Sequence, residues 1–247
     1  MKLKKNIINY LKKQVNKTGY QIKKANNFIF LDSILNKLVS HKGDINFIQI
    51  GGNDGINFDP LYHFIILNKS KISGYVLEPV KDYFNELVNN YKDLPLIKPL
   101  NLAIHNNQSE MVIHRVNSKN PSVLPSYAKG IASFNEAHHV SCKIPSEYMI
   151  QEKVKCISLE NLLIEKKIGH VDLLQIDTEG YDAEIILNIN FEKWKPSIIN
   201  FEYYVQNPIS REILNTIIDK LHLNGYEIWM EVNDITAYQR DLFIKID

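Results

Sequence analysis

Short apolar runs that end at Gly, Asp or Glu alternate with amphipathic segments of helical length from residue 46 onward. The apolar runs predict strands at Asn46–Ile50, Gly74–Leu77, Leu96–Leu100, Val171–Ile176 and Ser197–Phe201. The intervening segments predict helices at residues 59–68, 80–91, 159–165, 181–188 and 210–223. Several strands are too continuously apolar to have an exposed face. The alternation therefore predicts an α/β domain with a mostly parallel sheet.

The C-terminal stretch has a different pattern. Tyr226–Val232 and Ala237–Ile246 are strand-like runs separated by the turn residues Asn233 and Asp234. This arrangement predicts an antiparallel hairpin at the end of the chain.

The interval between His105 and Cys156 interrupts the alternation. A strand-like run, Met111–Val116, is followed by a polar stretch that contains proline and serine. Residues 117–150 are too many for a plain connection in a compact domain, and long loops often carry function. We therefore expect a lid or substrate-recognition insertion there.

Composition narrows the class of protein. The chain has 247 residues, 45% hydrophobic and 23% charged, which is typical of one large globular domain. Apolar runs such as Phe64–Leu67 are far shorter than the roughly 18 residues of a membrane span, so integral membrane insertion is not expected. The two cysteines, Cys142 and Cys156, form at most one disulfide and lack metal-site spacing. Without a recognisable secretory signal, we expect a cytoplasmic protein.

Charge is unevenly distributed along the chain. Residues 1–31 carry eight lysines and no acid, which leaves 21 basic against 28 acidic residues elsewhere, a net charge of about −7. Apolar residues at helical spacing predict a basic amphipathic helix, and we divide the chain into an N-terminal extension, 1–43, and a domain, 44–247. Packing of this helix on the domain or on a second subunit is favoured over binding to an anionic membrane or nucleic acid. An acidic body with three arginines also argues against a nucleic-acid groove.

The first predicted strand runs directly into the turn Gly51-Gly52-Asn53-Asp54-Gly55. A glycine-rich turn after the first strand is typical of nucleotide-type cofactor sites, although neither G-x-G-x-x-G nor a phosphate loop is present. Glu78 ends the second strand 23 residues after Gly55, where an acid accepts hydrogen bonds from ribose hydroxyls. The alternatives are a purely structural turn and a helix-capping Glu78.

Acidic residues follow the later buried strands. Asp177 and Glu179 come after one strand and Glu202 ends the next. Ligands of open α/β sheets bind at this edge, so these acids are candidates to contact a substrate, and Asp177 with Glu202 to bind Mg²⁺. The alternative is that Asp177 orders its loop and Glu179 caps the next helix.

The insertion contributes further candidates. His138 and His139 are candidate general bases because imidazole titrates near neutral pH, and Ser133 is a candidate substrate contact. The alternative for the two histidines is an exposed position on a helix.

Five segments in order, FIQIGGNDG, YVLEPV, NLAIHNNQ, VDLLQIDTEGYDAEI and IINFEYY, resemble the FkbM family of S-adenosylmethionine-dependent methyltransferases. The resemblance covers about residues 44–205, and the terminal hairpin is consistent with it. It implies a Rossmann-like class I methyltransferase fold, S-adenosylmethionine as cofactor, and a hydroxyl of a sugar, glycan or related small molecule as methyl acceptor. A nucleotide-dependent oxidoreductase and a noncatalytic cofactor-binding module are the competing hypotheses, and homo-oligomerisation is left open.

The resemblance also implies residue roles. Gly51, Asn53 and Gly55 would surround the methionine part of the cofactor, Glu78 would hold the ribose, Asn101, Leu102 and Ala103 would flank the adenine, and Asp177 would face the reacting methyl group. Gln49 stands where class I methyltransferases usually carry an acid. Asp54 and Asp177 are the candidates to neutralise the cofactor's amino group instead.

Overall fold

A computed structural model describes residues 30–57, 59–117, 124–203 and 209–244. The predicted basic helix near the N-terminus lies outside these residues. Within them the strands, numbered in chain order, are β1 Ile45–Ile50, β2 Ile72–Leu77, β3 Ile97–Leu100, β4 Ala103–Ile104, β5 Glu110–Val116, β6 Ala132–Ser133, β7 Met149–Ile157, β8 Leu173–Ile176, β9 Ile198–Glu202, β10 Tyr226–Met230 and β11 Asp234–Gln239.

Seven of these strands form the central sheet, in the order β10-β11-β9-β8-β1-β2-β3. Strands β3, β2, β1, β8 and β9 pair in parallel, whereas β11 is antiparallel to both β9 and β10. The predicted mostly parallel sheet with a terminal hairpin is confirmed.

The bounds of the hairpin differ from the prediction. Strand β11 begins at Asp234, which pairs with Glu202 of β9 rather than standing in the turn. It ends at Gln239, and the chain continues as the helix Arg240–Ile244, so the predicted strand Ala237–Ile246 is wrong for residues 240–244; its last two residues lie outside the described residues. The Arg240 N–H donates to the Gly225 carbonyl at 3.0 Å, next to the last pair of the β10–β11 ladder, and the helix begins there.

Helices cover both faces of the central sheet. The α-helices in the described residues are Phe30–Lys42, Tyr62–Leu67, Lys81–Asn90, His138–Ser141, Leu159–Glu165, Asp182–Leu187, Arg211–Leu223 and Arg240–Ile244, and short 3₁₀ turns span Ser126–Gly130 and Ser146–Tyr148. Ser158 and Ser210 cap two of them by accepting N–H bonds from Asn161 and Ile213. None of the described helices is long and apolar enough to cross a membrane.

The helix Phe30–Lys42 packs directly on the sheet. Its apolar face, including Ile34, Leu35 and Leu38, is buried against residues of β1 and β2. Full burial of each such side chain stabilises the fold by about 1.5 to 3 kcal/mol. Lys42, in the last turn, pairs with buried Asp172 at 2.6 Å. This helix is therefore part of the core, and the extension formed by the residues before it stays a prediction.

The insertion is built on a second sheet, in the order β4-β7-β5-β6. The predicted strand at Met111–Val116 is confirmed as β5, but its long partner β7 was not predicted. Arg115 of β5 is buried and donates to Glu152 of β7 at 2.5 Å and to Asp82 at 3.1 Å. These bonds attach the second sheet to the helix Lys81–Asn90.

Candidate functional site

The sheet register aligns five residues at the carboxyl edge of the parallel strands. Ile50 pairs with Leu77 and Ile176, Ile176 with Phe201, and Glu202 with Asp234. The residues one step further along therefore form a row across five strands, in the order Glu78, Gly51, Asp177, Glu202 and Asp234. We call this the edge row.

A cavity of about 390 Å³ lies against the edge row. All five members of the row line it, and so do Asn53, Leu102, Ala103 and Glu179 from the set predicted from sequence. The insertion closes another side of the cavity with Tyr127, Gly130, Ala132 and Phe134. Most of the predicted cofactor and acceptor residues therefore meet at one site.

Close backbone packing explains the glycines of the first turn. Gly51 has φ +86°, and a Cβ there would lie 1.7 Å from the Asp177 carbonyl oxygen. At Gly52 a Cβ would lie 2.2 Å from the side chain of Val76. Gly55, at φ +76°, packs against Leu87 instead and does not line the cavity. Its predicted place beside the cofactor stays a prediction.

Glu78 is buried at the tip of β2 with its carboxylate held from both sides. One oxygen accepts the Asn53 N–H at 2.8 Å and the other accepts the Val80 N–H at 2.8 Å. Burial, with the nearby Glu152 and Asp54 charges, raises the pKa of Glu78 to about 7 against the lowering effect of these two bonds. Each oxygen keeps a lone pair free for another donor.

The groups around Glu78 fit an adenosyl cofactor. The two carboxylate oxygens suit the two hydroxyls of a ribose, and the Asn53 Oδ1 atom is buried without a partner among the described residues. Leu102 and Ala103 offer an apolar wall nearby. Asn101 does not face this wall, because its side chain donates to the carbonyls of Glu78 and Pro79 at 2.9 and 2.8 Å. It shapes the loop that carries Glu78.

Asp54 is buried and does not line the cavity. It accepts bonds from Ile56, from Asn57 and, at 3.0 Å, from the Lys129 ammonium. Burial opposes its ionisation, but these bonds together lower the pKa of Asp54. Asp54 therefore orders the turn, and of the two acids expected to meet the cofactor's amino group, Asp177 is the one that lines the cavity.

The acids at the other end of the row share one electrostatic environment. Burial and the neighbouring charges of Glu179 and Glu202 raise the pKa of Asp177 well above its ordinary value. Burial and the charges of Glu179, Asp182 and Asp234 raise the pKa of Glu202 to about 8. Burial, with Glu231 and Asp182, raises the pKa of Asp234 to about 6. The carboxyl groups of Asp177, Glu202 and Asp234 therefore favour the protonated form until a cation or a hydrogen-bond donor binds beside them.

A second polar row lies beneath the edge row, two residues back along each strand. Gln49, Gln175, Asn200 and Thr236 are in register across β1, β8, β9 and β11, and all are buried. Asn200 donates to Thr236 at 2.8 Å and Gln49 donates to Asp59 at 3.0 Å. Gln175 lines the cavity, and its Oε1 atom has no partner among the described residues.

The candidate bases of the insertion lie behind the cavity wall. His138 is buried, and its Nε2 lies 2.8 Å from a carboxylate oxygen of Glu179. His139 bonds the Ile144 carbonyl through Nδ1 at 2.7 Å. Ser133 donates to the Glu179 carbonyl at 2.8 Å. None of the three lines the cavity, so the structure assigns Ser133 and His138 to holding Glu179 in its left-handed conformation, φ +53°.

The predicted Mg²⁺ pair, Asp177 and Glu202, is adjacent in the edge row. Among the described residues, however, no group of three or more His, Cys, Asp or Glu side chains converges as a metal site would require.

The sheet order, with antiparallel β11 between β9 and β10, and the ribose-type acid at the tip of β2 define a Rossmann-like class I methyltransferase fold. The sequence profile of the methyltransferase FkbM domain matches residues 49–228, more than half of the chain. The chain therefore belongs to the FkbM methyltransferase family and is an S-adenosylmethionine-dependent methyltransferase. No curated protein matches the sequence.

Solved structures show distant likeness to this chain. Aeropyrum pernix fibrillarin with natively bound S-adenosyl-L-methionine is 15% identical, with 84% of this chain and 73% of that chain covered at a TM-score of 0.43. Precorrin-6y C5,15-methyltransferase from Geobacter metallireducens is 12% identical, with 88% and 93% covered at a TM-score of 0.40.

Proposed function

We propose that the protein transfers a methyl group from S-adenosylmethionine to a hydroxyl oxygen of a sugar, glycan or related small molecule. The observation that carries the proposal is the edge row. It has the ribose-type acid Glu78 at one end, and the three adjacent carboxylates of Asp177, Glu202 and Asp234 form the rest of it beyond Gly51. The cofactor supplies an electrophilic methyl group: the new C–O bond forms as the S–C bond breaks, and the hydroxyl proton must leave.

Residues at the β2 and β1 end of the row would hold the cofactor. Glu78 would accept the ribose hydroxyls, Gly51 and Asn53 would contact the methionine part, and Leu102 with Ala103 would cover the adenine. The two backbone N–H bonds to Glu78 fix its carboxylate before the cofactor arrives, so little ordering cost remains at binding.

Asp177 receives the hydroxyl proton once a positive charge beside it favours its ionised form. It lies between the cofactor end and the acids of β9 and β11, and burial with neighbouring charges raises its pKa. A carboxylate with a raised pKa is a stronger base than an exposed one, and general base catalysis contributes typically 10²- to 10⁴-fold in rate. Glu179, held by Ser133 and His138, forms the adjoining wall.

A small acceptor fits the cavity better than a nucleic acid. Among the described residues that line the cavity there is no lysine, arginine or histidine to neutralise phosphates.

The buried free thiols of Cys142 and Cys156 support a reducing, cytoplasmic setting.

Methyl-labelled S-adenosylmethionine incubated with the protein and a panel of mono- and oligosaccharides tests the proposal. We expect label in a base-stable methyl ether, identified by NMR of the product. Label found only on nitrogen, sulfur or nucleic acid, or no transfer to any saccharide, would overturn it.

A further inference from the structure

The far end of the edge row lies beyond the cofactor. Neighbouring strands are about 4.8 Å apart, which puts β9 about 10 Å and β11 about 14 Å from β1. Glu202 and Asp234 are therefore on the opposite side of Asp177 from Glu78, the proposed ribose ligand. This end of the cavity faces the methyl acceptor.

The acids at this end lack basic partners in the described chain. Lys, Arg and His side chains of the described residues do not pair with Asp177, Glu202 or Asp234, and Glu179 pairs with His138 through one oxygen. Bringing several carboxylates together in a half-buried cavity is unfavourable unless a cation or protons compensate. A neutral acceptor would leave the repulsion between the carboxylates of Glu202 and Asp234 uncompensated.

Gln175 gives an independent indication of a ligand here. It is 2% exposed, lines the cavity two residues before Asp177 on β8, and its Oε1 atom has no partner among the described residues. The amide nitrogen of its neighbour in the second polar row, Asn200, donates to Thr236 and to the Ile235 carbonyl. A buried, unpaired acceptor beside unpaired carboxylates suits a donor with several N–H bonds.

Resting on the proposed function, we infer that the methyl acceptor carries a protonated amine that binds at the Glu202 and Asp234 end of the cavity, which makes the acceptor an amino sugar or a related amino alcohol. An ammonium group brings three donors and one positive charge, whereas a hydroxyl brings one donor and none. Divalent metal is disfavoured, because the described acids spread along the sheet edge and do not converge on one point.

Proton release accompanies this binding. Without a cation, the raised pKa values of Glu202, about 8, and Asp234, about 6, keep part of this cluster protonated at neutral pH. An ammonium group lowers both pKa values, so protons pass to the buffer when the amine binds.

Calorimetric titration of the full chain, saturated with S-adenosylhomocysteine, tests the inference with D-glucosamine against D-glucose and N-acetyl-D-glucosamine. We expect D-glucosamine to bind at least about tenfold more tightly than either neutral sugar, because hydrogen bonds to charged groups are the stronger ones. Titrations at pH 7 in two buffers of different ionisation enthalpy should show proton release only with the amine.

Substitutions of the two acids test whether D-glucosamine binds beside them. Glu202→Gln and Asp234→Asn should each weaken D-glucosamine about tenfold while the affinity for S-adenosylhomocysteine stays within a factor of about two. The matched control is Glu165→Gln, an exposed acid on the helix Leu159–Glu165, which should change neither affinity. Melting temperatures for all three variants separate lost binding from lost folding.

Three binding results would overturn the inference: equal affinity for the amine and the neutral sugars, no binding by any of them, or Mg²⁺ alone binding to the cluster with proton release. Methyl transfer to the hydroxyl of a neutral glycan, with no effect of Glu202→Gln, would leave the proposed function standing and remove this inference. Selective amine binding without methyl transfer to any hydroxyl would support amine recognition and contradict the proposed function.

Discussion

Asp177 connects the two ends of the site at the scale of a single residue. Its backbone packs against Gly51 on the cofactor side, and its carboxylate shares an environment with Glu202 on the acceptor side. The substitution Asp177→Asn keeps the shape but removes the charge. We expect kcat to fall about 10²-fold or more, because a general base is lost, and the affinity for S-adenosylhomocysteine to fall by a smaller factor than kcat.

Single-turnover rates with a saccharide that is methylated, together with calorimetry, measure the effect of Asp177→Asn. A variant that keeps wild-type turnover would place the base elsewhere, with Glu179 the next carboxylate on the cavity wall.

Glu78 makes cofactor binding sensitive to pH. Its pKa is about 7 in the folded protein, so it gains its full charge only as the pH rises through neutrality. The ionised carboxylate accepts ribose hydroxyls more strongly than the acid. We expect affinity for S-adenosylhomocysteine to increase between about pH 6 and pH 8 in the wild type and to be flatter in Glu78→Gln. If the affinity for S-adenosylhomocysteine depended on pH equally in both proteins, the assignment of Glu78 to the ribose would be wrong.

The individual site residues were predictable only in part. Glu78, Asp177 and Glu202 end apolar runs, which is a pattern visible in sequence. Asp234 was missed because Asn-Asp between two strand-like runs is typical of a turn, and only pairing with Glu202 brings it into the sheet. Gln175 was missed because a glutamine inside an apolar run carries no signal of which face it occupies.

At the scale of elements, the insertion is attached to the rest of the domain at more than one point. Lys129 bonds both Asp54, at 3.0 Å, and Glu86, at 2.5 Å, while Ser133 and His138 hold Glu179. The insertion also has its own small apolar cluster, which includes Ile131 and Ile144. The predicted lid therefore opens only if these contacts break.

Hydrogen exchange measures that opening. We expect amides of residues 126–141 to exchange faster in Lys129→Met than in the wild type, since this change leaves the buried Asp54 carboxylate without its cationic partner. S-adenosylhomocysteine should slow exchange of the same segment in the wild type. Strong protection that neither the variant nor the ligand alters would make the insertion a fixed wall.

The elements that sequence analysis missed owe their structure to distant partners. Strand β7 alternates polar and apolar residues weakly, and it is stabilised by seven aligned residue pairs with β5. The helix Arg240–Ile244 follows strand-like residues, but the sheet ends where Gln239 pairs with Tyr226. In both cases the extent of pairing with a partner strand decides the structure, and the local alternation of polar and apolar residues does not.

At the scale of the whole molecule, the buried acids link stability to pH. The pKa values of Glu78, Glu202 and Asp234 rise from 4.5, 4.5 and 3.8 in the ordinary case to about 7, 8 and 6 in the fold. Between about pH 4 and pH 8 the folded state therefore binds more protons than the unfolded state, and the free energy of unfolding falls as pH rises. The lowered pKa of Asp54 acts in the opposite direction at more acidic pH.

Thermal unfolding of the ligand-free protein across this pH range checks the linkage. We expect the wild-type melting temperature to decrease toward pH 8 and the decrease to be smaller in Glu202→Gln, which cannot ionise. A wild-type melting temperature that rises steadily to pH 8 would contradict the raised pKa values.

The central claim is that one row of residues divides into a cofactor end at Glu78 and an acceptor end at Glu202. The most direct test is the affinity for S-adenosylhomocysteine, measured calorimetrically at pH 8 for the wild type, Glu78→Gln, Glu202→Gln and the control Glu165→Gln. A charged hydrogen bond contributes about 1.5 to 3 kcal/mol, so Glu78→Gln should bind roughly ten- to hundredfold more weakly. The other two variants should match the wild type. Undiminished binding in Glu78→Gln, or an equal loss in Glu202→Gln, would contradict this division of the site.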